Sequence, residues 1–150
     1  MRLEKEIKQS SFRNEYHKLA VNLIFSHSWL MAKINNLLKK FDITPQQFNI
    51  LRILRGQYPS SSTVTLLRER MLDKMSDASR LVDRLCKKKL VERRVCENDR
   101  RKVDVYITKK GLNLLKYLDK YIIRIDDVLM KNLSEDEAKK LNKLLDKMRT

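Results

Sequence analysis

Ser76-Asp77-Ala78-Ser79-Arg80-Leu81-Val82-Asp83-Arg84-Leu85-Cys86-Lys87-Lys88 is the stretch on which the fold turns. Ala78, Leu81, Val82, Leu85 and Cys86 recur at helical spacing and make one apolar face. Asp77, Arg80, Arg84, Lys87 and Lys88 fall on the other face, which is basic. Ser76 suits the N-cap of this helix. Upstream, Thr63 or Thr65 caps a shorter helix, about Leu66 to Leu72. Asp73-Lys74-Met75 between the two is long enough only for a tight turn. A short helix, a tight turn and an amphipathic helix with a basic outer face form the helix-turn-helix pattern.

Downstream, Val91–Cys96 and Val103–Ile107 alternate as strands do, with Val91, Arg93 and Val95 on one face and Val103, Val105 and Ile107 on one face. Glu97 to Lys102 lies between them as a polar, basic hairpin tip. It lacks an Asn-Gly signal, so a loop longer than two residues is expected. Thr108 then caps a helix running to about Met130, with Leu115, Leu118, Ile122, Ile125 and Leu129 stepping by three and four. Ser134 to Glu137 forms a capping box for a last helix that is expected to bury Leu141, Leu144, Leu145 and Met148.

Upstream of the helix-turn-helix, Thr44-Pro45-Gln46-Gln47 opens a helix burying Phe48, Leu51 and Leu54, which Gly56 and Pro59 end. A short strand is expected at Ser62–Val64. The first long helix runs from about Asn14 to Lys40. Tyr16, Ala20, Leu23, His27, Leu30, Ile34, Leu37 and Phe41 mark a heptad seam along it. So wide a seam needs a partner, either elsewhere in the chain or on a second copy. The fold class is therefore mainly α, as α+β, with a helix-turn-helix and a basic hairpin between flanking helices.

Composition agrees. The chain has 150 residues, with 34 Lys+Arg against 19 Asp+Glu and a net charge of +15. A chain of this length fits one domain with a sizeable core. Two Gly and two Pro cannot supply the turns of a barrel or sandwich. Neither can Gly56 and Gly111 make a P-loop or a dinucleotide fingerprint. The longest apolar run, Trp29 to Ala32, is too short for a membrane span or a secretory signal. With two cysteines and no disulfide framework, a cytoplasmic location is expected.

The charge is unevenly placed. Arg84, Lys87, Lys88, Lys89, Arg93, Arg94, Arg100, Arg101 and Lys102 face only Glu92, Glu97 and Asp99, so this segment holds +6 of the +15. A basic helix and hairpin point to nucleic acid. The N-terminal residues of such a helix reach base edges in the major groove, here Ser76, Asp77, Ser79 and Arg80, with Arg84 one turn on. Lys87 and Lys88 are placed for phosphate. Arg100, Arg101 and Lys102 at the hairpin tip suit a narrow minor groove, with Asp99 able to orient the Arg101 guanidinium.

Ser76 to Leu85, Leu90-Val91-Glu92-Arg93, Asn98-Asp99-Arg100-Arg101 and Val105 to Gly111 together resemble the MarR family of transcription regulators. The resemblance extends from about Tyr16 to Met148. It implies a winged helix-turn-helix at about 44–108 within a single domain, with dimerisation helices at about 1–43 and 109–150. A homodimer binding a pseudo-palindromic operator in double-stranded DNA is implied as well. So is a small aromatic or phenolic effector, for which Phe25 and Trp29 are the candidate contacts. One departure is Lys89, where the family often has glycine before the Leu-Val that opens the wing; a local difference at that helix end is expected.

No catalytic constellation, cofactor motif or metal-ligand spacing is evident. His17 and His27 fall on different faces of their helix, and His27 is expected to be buried or at an interface. Cys86 and Cys96 read as small packed residues. The leading reading is a DNA-binding transcriptional regulator, a repressor released by its effector. The alternative is a sequence-indifferent architectural binder.

Overall fold

The computed structural model describes the backbone of residues 2–96 and 99–150, and the side chains of all of these except 96 and 99–102. It divides into two compact units, Met1–Thr44 and Pro45–Thr150.

The first unit holds α1 (Leu3–Glu6), a single turn, and α2 (Glu15–Lys39). Asn14 caps α2, its Oδ1 accepting from the His17 amide at 2.8 Å. Glu4 of α1 pairs with Lys18 of α2 at 2.6 Å. The heptad seam is open at its N-terminal end. Tyr16 is 83% exposed, and Ala20 and His27 are exposed as well, so of the two places expected for His27, buried or at an interface, its own chain does not bury it.

The second unit is a helical layer closed by a small sheet. It runs α3 (Pro45–Gln57), β1 (Ser62–Thr63), α4 (Val64–Arg70), α5 (Ala78–Lys87), β2 (Val91–Cys96), β3 (Asp99–Ile107), α6 (Lys109–Met130) and α7 (Glu135–Met148). The sheet is antiparallel in the order β1-β3-β2, with Ser62 opposite Val105 and Val91 opposite Ile107. Beneath it lie Ile50, Leu51, Leu54, Leu67, Met71, Val82, Leu85, Leu115 and Leu118, all essentially solvent-free. Burial of such side chains, at roughly 1.5–3 kcal/mol each, is what holds α5 to the sheet and α6 to α3. Arg55 of α3 grips Asp119 of α6 with both guanidinium nitrogens, at 2.7 and 3.2 Å.

Three expectations change. β3 begins at Asp99, so strand pairing continues well into the segment read as a loop. The ladder is irregular where Val95 pairs with Val103 but Cys96 with Asp99. α7 forms behind its capping box, with Ser134 Oγ accepting from the Glu137 amide and the Glu137 carboxylate accepting from the Ser134 amide. Yet none of its side chains is fully buried within the chain. Leu141, Leu144 and Met148 are 46%, 55% and 49% exposed, and Leu145 is half-buried. Its apolar side meets too little of its own chain to be covered. The third change, in the cap of α5, concerns the site.

Candidate nucleic-acid interface

Thr63 starts α4 by accepting the Leu66 amide on its hydroxyl at 3.1 Å. The turn after α4 is fixed by side chains. Asn49 Oδ1 accepts from the Leu72 amide at 2.9 Å. Asp73 Oδ1 accepts from the Met75 amide at 3.0 Å, and Oδ2 accepts from the Ser76 hydroxyl at 2.7 Å. These bonds, the Ser76 hydroxyl foremost, hold the Asp73 carboxyl below its ordinary pKa.

Because Ser76 turns back to Asp73, it does not cap α5. The cap is Asp77, whose backbone is extended and whose Oδ1 accepts from the Arg80 amide at 3.0 Å. A carboxylate at this helix end is favoured by the helix dipole. Ser79 Oγ and the Ser79 carbonyl face the Arg93 guanidinium at 3.3 and 3.2 Å. Ala78, Val82 and Leu85 are buried, while Leu81 and Cys86 are half-buried. Arg80, Arg84 and Lys87 are exposed on the opposite side, and Lys88 is half-buried.

The end of α5 resolves the question posed by Lys89. Its φ is 58°, the left-handed conformation that glycine adopts most easily. The Lys89 amide donates to Cys86 O at 2.9 Å and the Leu90 amide to Leu85 O at 3.1 Å, the pair of bonds that defines a Schellman cap. Lysine thus adopts the geometry without changing it.

Thr108 gathers this end together. Its hydroxyl lies 2.9 Å from Lys89 O and 3.1 Å from Leu90 O, and accepts from the Gly111 amide at 3.1 Å. Its own amide donates to Leu90 O at 3.1 Å. Lys110 Nζ donates to Lys88 O at 3.0 Å. Gly111 is required by this closeness, since a Cβ there would stand 2.4 Å from Leu90 O.

The hairpin is braced against α5. Arg93 Nη1 pairs with Asp83 Oδ1 at 2.6 Å. Arg94 lies 4.8 Å from the centre of the Tyr106 ring and pairs with Glu92. Asp83, Cys86, Val91 and Arg93 line an open cleft of about 470 Å³ between helix and hairpin. Burial raises the Cys86 thiol above its ordinary pKa, which disfavours the reactive thiolate. The side chains of Asp99, Arg100, Arg101 and Lys102, expected at the hairpin tip, lie outside the described residues. The bracing roles of Arg93, Asp83 and Asp73 are not evident in the sequence; of these, only the Asp73-x-x-Ser76 spacing carries a local signal, that of an Asx-type turn.

On α2, Phe25 and Trp29 are both half-buried, and Lys33 Nζ lies 5.0 Å from the centre of the Trp29 ring. Among the described residues, no three His, Cys, Asp or Glu converge as a metal site. Among the described residues, no helix is long and apolar enough to cross a membrane.

The profile of the MarR family matches residues 41–102. The transcriptional regulator MgrA of Staphylococcus aureus is 29% identical over 140 residues, covering 90% of this chain and 92% of its own. A mutant MarR from E. coli, complexed with operator DNA, matches the fold with a TM-score of 0.79. It is 29% identical, with 93% of this chain and 99% of that chain covered. The MepR–DNA complex of S. aureus matches with a TM-score of 0.76 at 25% identity, covering 92% and 97%. With the helix-turn-helix, its basic outer face and the braced hairpin in place, these likenesses make the chain similar to winged-helix transcriptional regulators of the MarR family over nearly its whole length.

Proposed function

We infer that the protein binds double-stranded DNA in a sequence-specific manner as a homodimer on a pseudo-palindromic operator, and acts in the cytoplasm as a repressor that an effector releases. The observation that carries this reading is α5 itself. Its buried face is locked to the core through Ala78, Val82 and Leu85, which leaves Arg80, Arg84 and Lys87 presented on a rigid support. Arg80 and Arg84 are assigned to base edges or nearby phosphates, and Lys87 and Lys88 to phosphate. Ser76, Asp77 and Ser79 sit at the groove-facing end but carry internal bonds, so their role is to shape that end. Asp99, Arg100, Arg101 and Lys102 are assigned to the minor groove. The DNA-bound relatives support the same orientation of function.

The homodimer is supported by apolar surface left uncovered. Ile123 and Met130 on α6, with Leu141, Leu144 and Met148 on α7, are all about half exposed or more. A second copy contributing the same faces would bury them and set two recognition helices about one DNA turn apart, roughly 34–36 Å. Phe25 and Trp29 offer aromatic surface to a small aromatic or phenolic effector, whose binding would shift the population of DNA-competent dimers.

The deciding experiment is selection of bound duplexes from a random pool, followed by affinity for the selected and a scrambled duplex at physiological salt. A selected-to-scrambled ratio of at least about a thousandfold is expected. A ratio near one would favour the architectural reading.

A further inference from the structure

We propose that Met75 is a specificity-determining residue that contacts thymine methyl groups in the major groove. The proposal rests on the DNA-binding function inferred above and names one of its readers.

Among the described large apolar side chains, Met75 and Leu72 are the most exposed, at 93% and 88%. Scattered apolar residues on a surface need no explanation. These two differ because the backbone that displays them is held in place. The Leu72 amide is bound by Asn49, and the Met75 amide by Asp73. Asp73 is in turn bound by Ser76 and approached by Gln46 Nε2 at 3.5 Å. The turn thus directs Met75 outward two residues before Asp77, the cap of α5.

That position lies beside the helix end that enters the groove. The polar groups there are partly committed elsewhere. The Ser76 hydroxyl donates to Asp73, and an Asp77 oxygen accepts the Arg80 amide. An apolar reader is what this end has free. In the major groove, only thymine presents a methyl group. Methionine is unbranched and polarisable, and so can settle against a methyl without exact fit. The stretch that carries it has Arg70, Lys74 and Arg80 exposed, with Glu69, Asp73 and Asp77 exposed among them, and two apolar side chains fall far short of a stable protein interface. A polyanion with apolar spots at fixed places matches both features.

The test uses the full chain and the duplex it selects. Each thymine is replaced singly by deoxyuridine, which removes only the 5-methyl group. One or two replacements per half-site should weaken the wild type about fourfold each, the equivalent of one buried methyl. Met75→Ala, which removes the contact in both half-sites of the dimer, should bind the original duplex at least about sixteenfold more weakly and be indifferent to those replacements. Met75→Leu should remain sensitive. Melting temperatures of both variants should match the wild type, because the side chain packs against nothing. Indifference of the wild type to every deoxyuridine, a selected site lacking thymine, or undiminished sensitivity in Met75→Ala would each overturn the proposal while leaving DNA binding intact. If no duplex is enriched over the random pool, the DNA-binding reading fails and this assignment fails with it.

Discussion

Arg93 on the first hairpin strand and Asp83 on α5 are joined at 2.6 Å, and the same guanidinium reaches Ser79. Both partners are partly exposed, so the pair contributes at most about 1 kcal/mol to global stability. Its effect is on orientation, because it sets the hairpin relative to the helix. Arg93→Ala and Asp83→Ala should each lower the melting temperature by only a few degrees. The double variant should be no worse than Arg93→Ala alone. A double-mutant cycle on melting and on operator affinity measures this, and strict additivity would show that the two residues do not act as a pair.

Gly111→Ala should destabilise by at least about 2 kcal/mol, since the new Cβ would meet a backbone oxygen that cannot swing aside. Gly56 makes the opposite case. It lies inside α3, and a Cβ there meets nothing within 4 Å. Gly56→Ala should stabilise by roughly 0.5–1 kcal/mol through helix propensity and the unfolded chain. Thermal or denaturant unfolding of the two variants side by side gives both signs.

Lys89→Gly should raise stability by roughly 0.5–1 kcal/mol, because glycine adopts the left-handed conformation without the Cβ penalty. Lys89→Ala keeps the Cβ and should gain nothing. Equal melting temperatures for the glycine and alanine variants would count against strain at this cap.

The lowered pKa of Asp73 gives its turn a pH signature. A carboxyl that ionises more readily when folded adds stability that is fully present above its ordinary value of 3.8 and lost as pH falls through the lower folded value. The stability gap between wild type and Asp73→Asn should therefore be flat from pH 7 to about 5 and close in more acid solution. A gap that widens on acidification would reverse the assignment.

Lys87→Ala should weaken binding to every duplex to a similar degree and reduce the slope of log affinity against log salt by about one. A loss confined to the selected operator would instead make Lys87 a base reader.

Much of the fold is legible where one residue and its near neighbours decide the outcome. Thr108 and Ser134 cap the helices they precede, and the apolar spacing from Ala78 to Leu85 places α5 within a residue or two. The cap of α5 is misread because Ser76 and Asp77 are both good caps, and the choice depends on Asp73 drawing the serine away. The burial expected of α7 fails for a different reason. An apolar stripe says that a helix needs cover, and it does not say whether its own chain supplies it. In the site, the basic face of α5 is readable from charge and period. The Arg93–Asp83 tie is not, because the residues sit on different elements and no spacing rule links them.

The base of the hairpin is closed at one point, where Leu90 and Thr108 meet and Val91 pairs with Ile107. A hairpin shut at its base is modular. Segment 91–107 could be exchanged for that of another protein without altering the path of the chain on either side, provided positions 104 and 105 still pair with β1, position 93 still reaches Asp83, and positions 91, 105 and 107 stay apolar. On the proposed reading, the hairpin's contribution to DNA binding could then be varied apart from that of α5, with the Arg93–Asp83 pair kept as the joint between them.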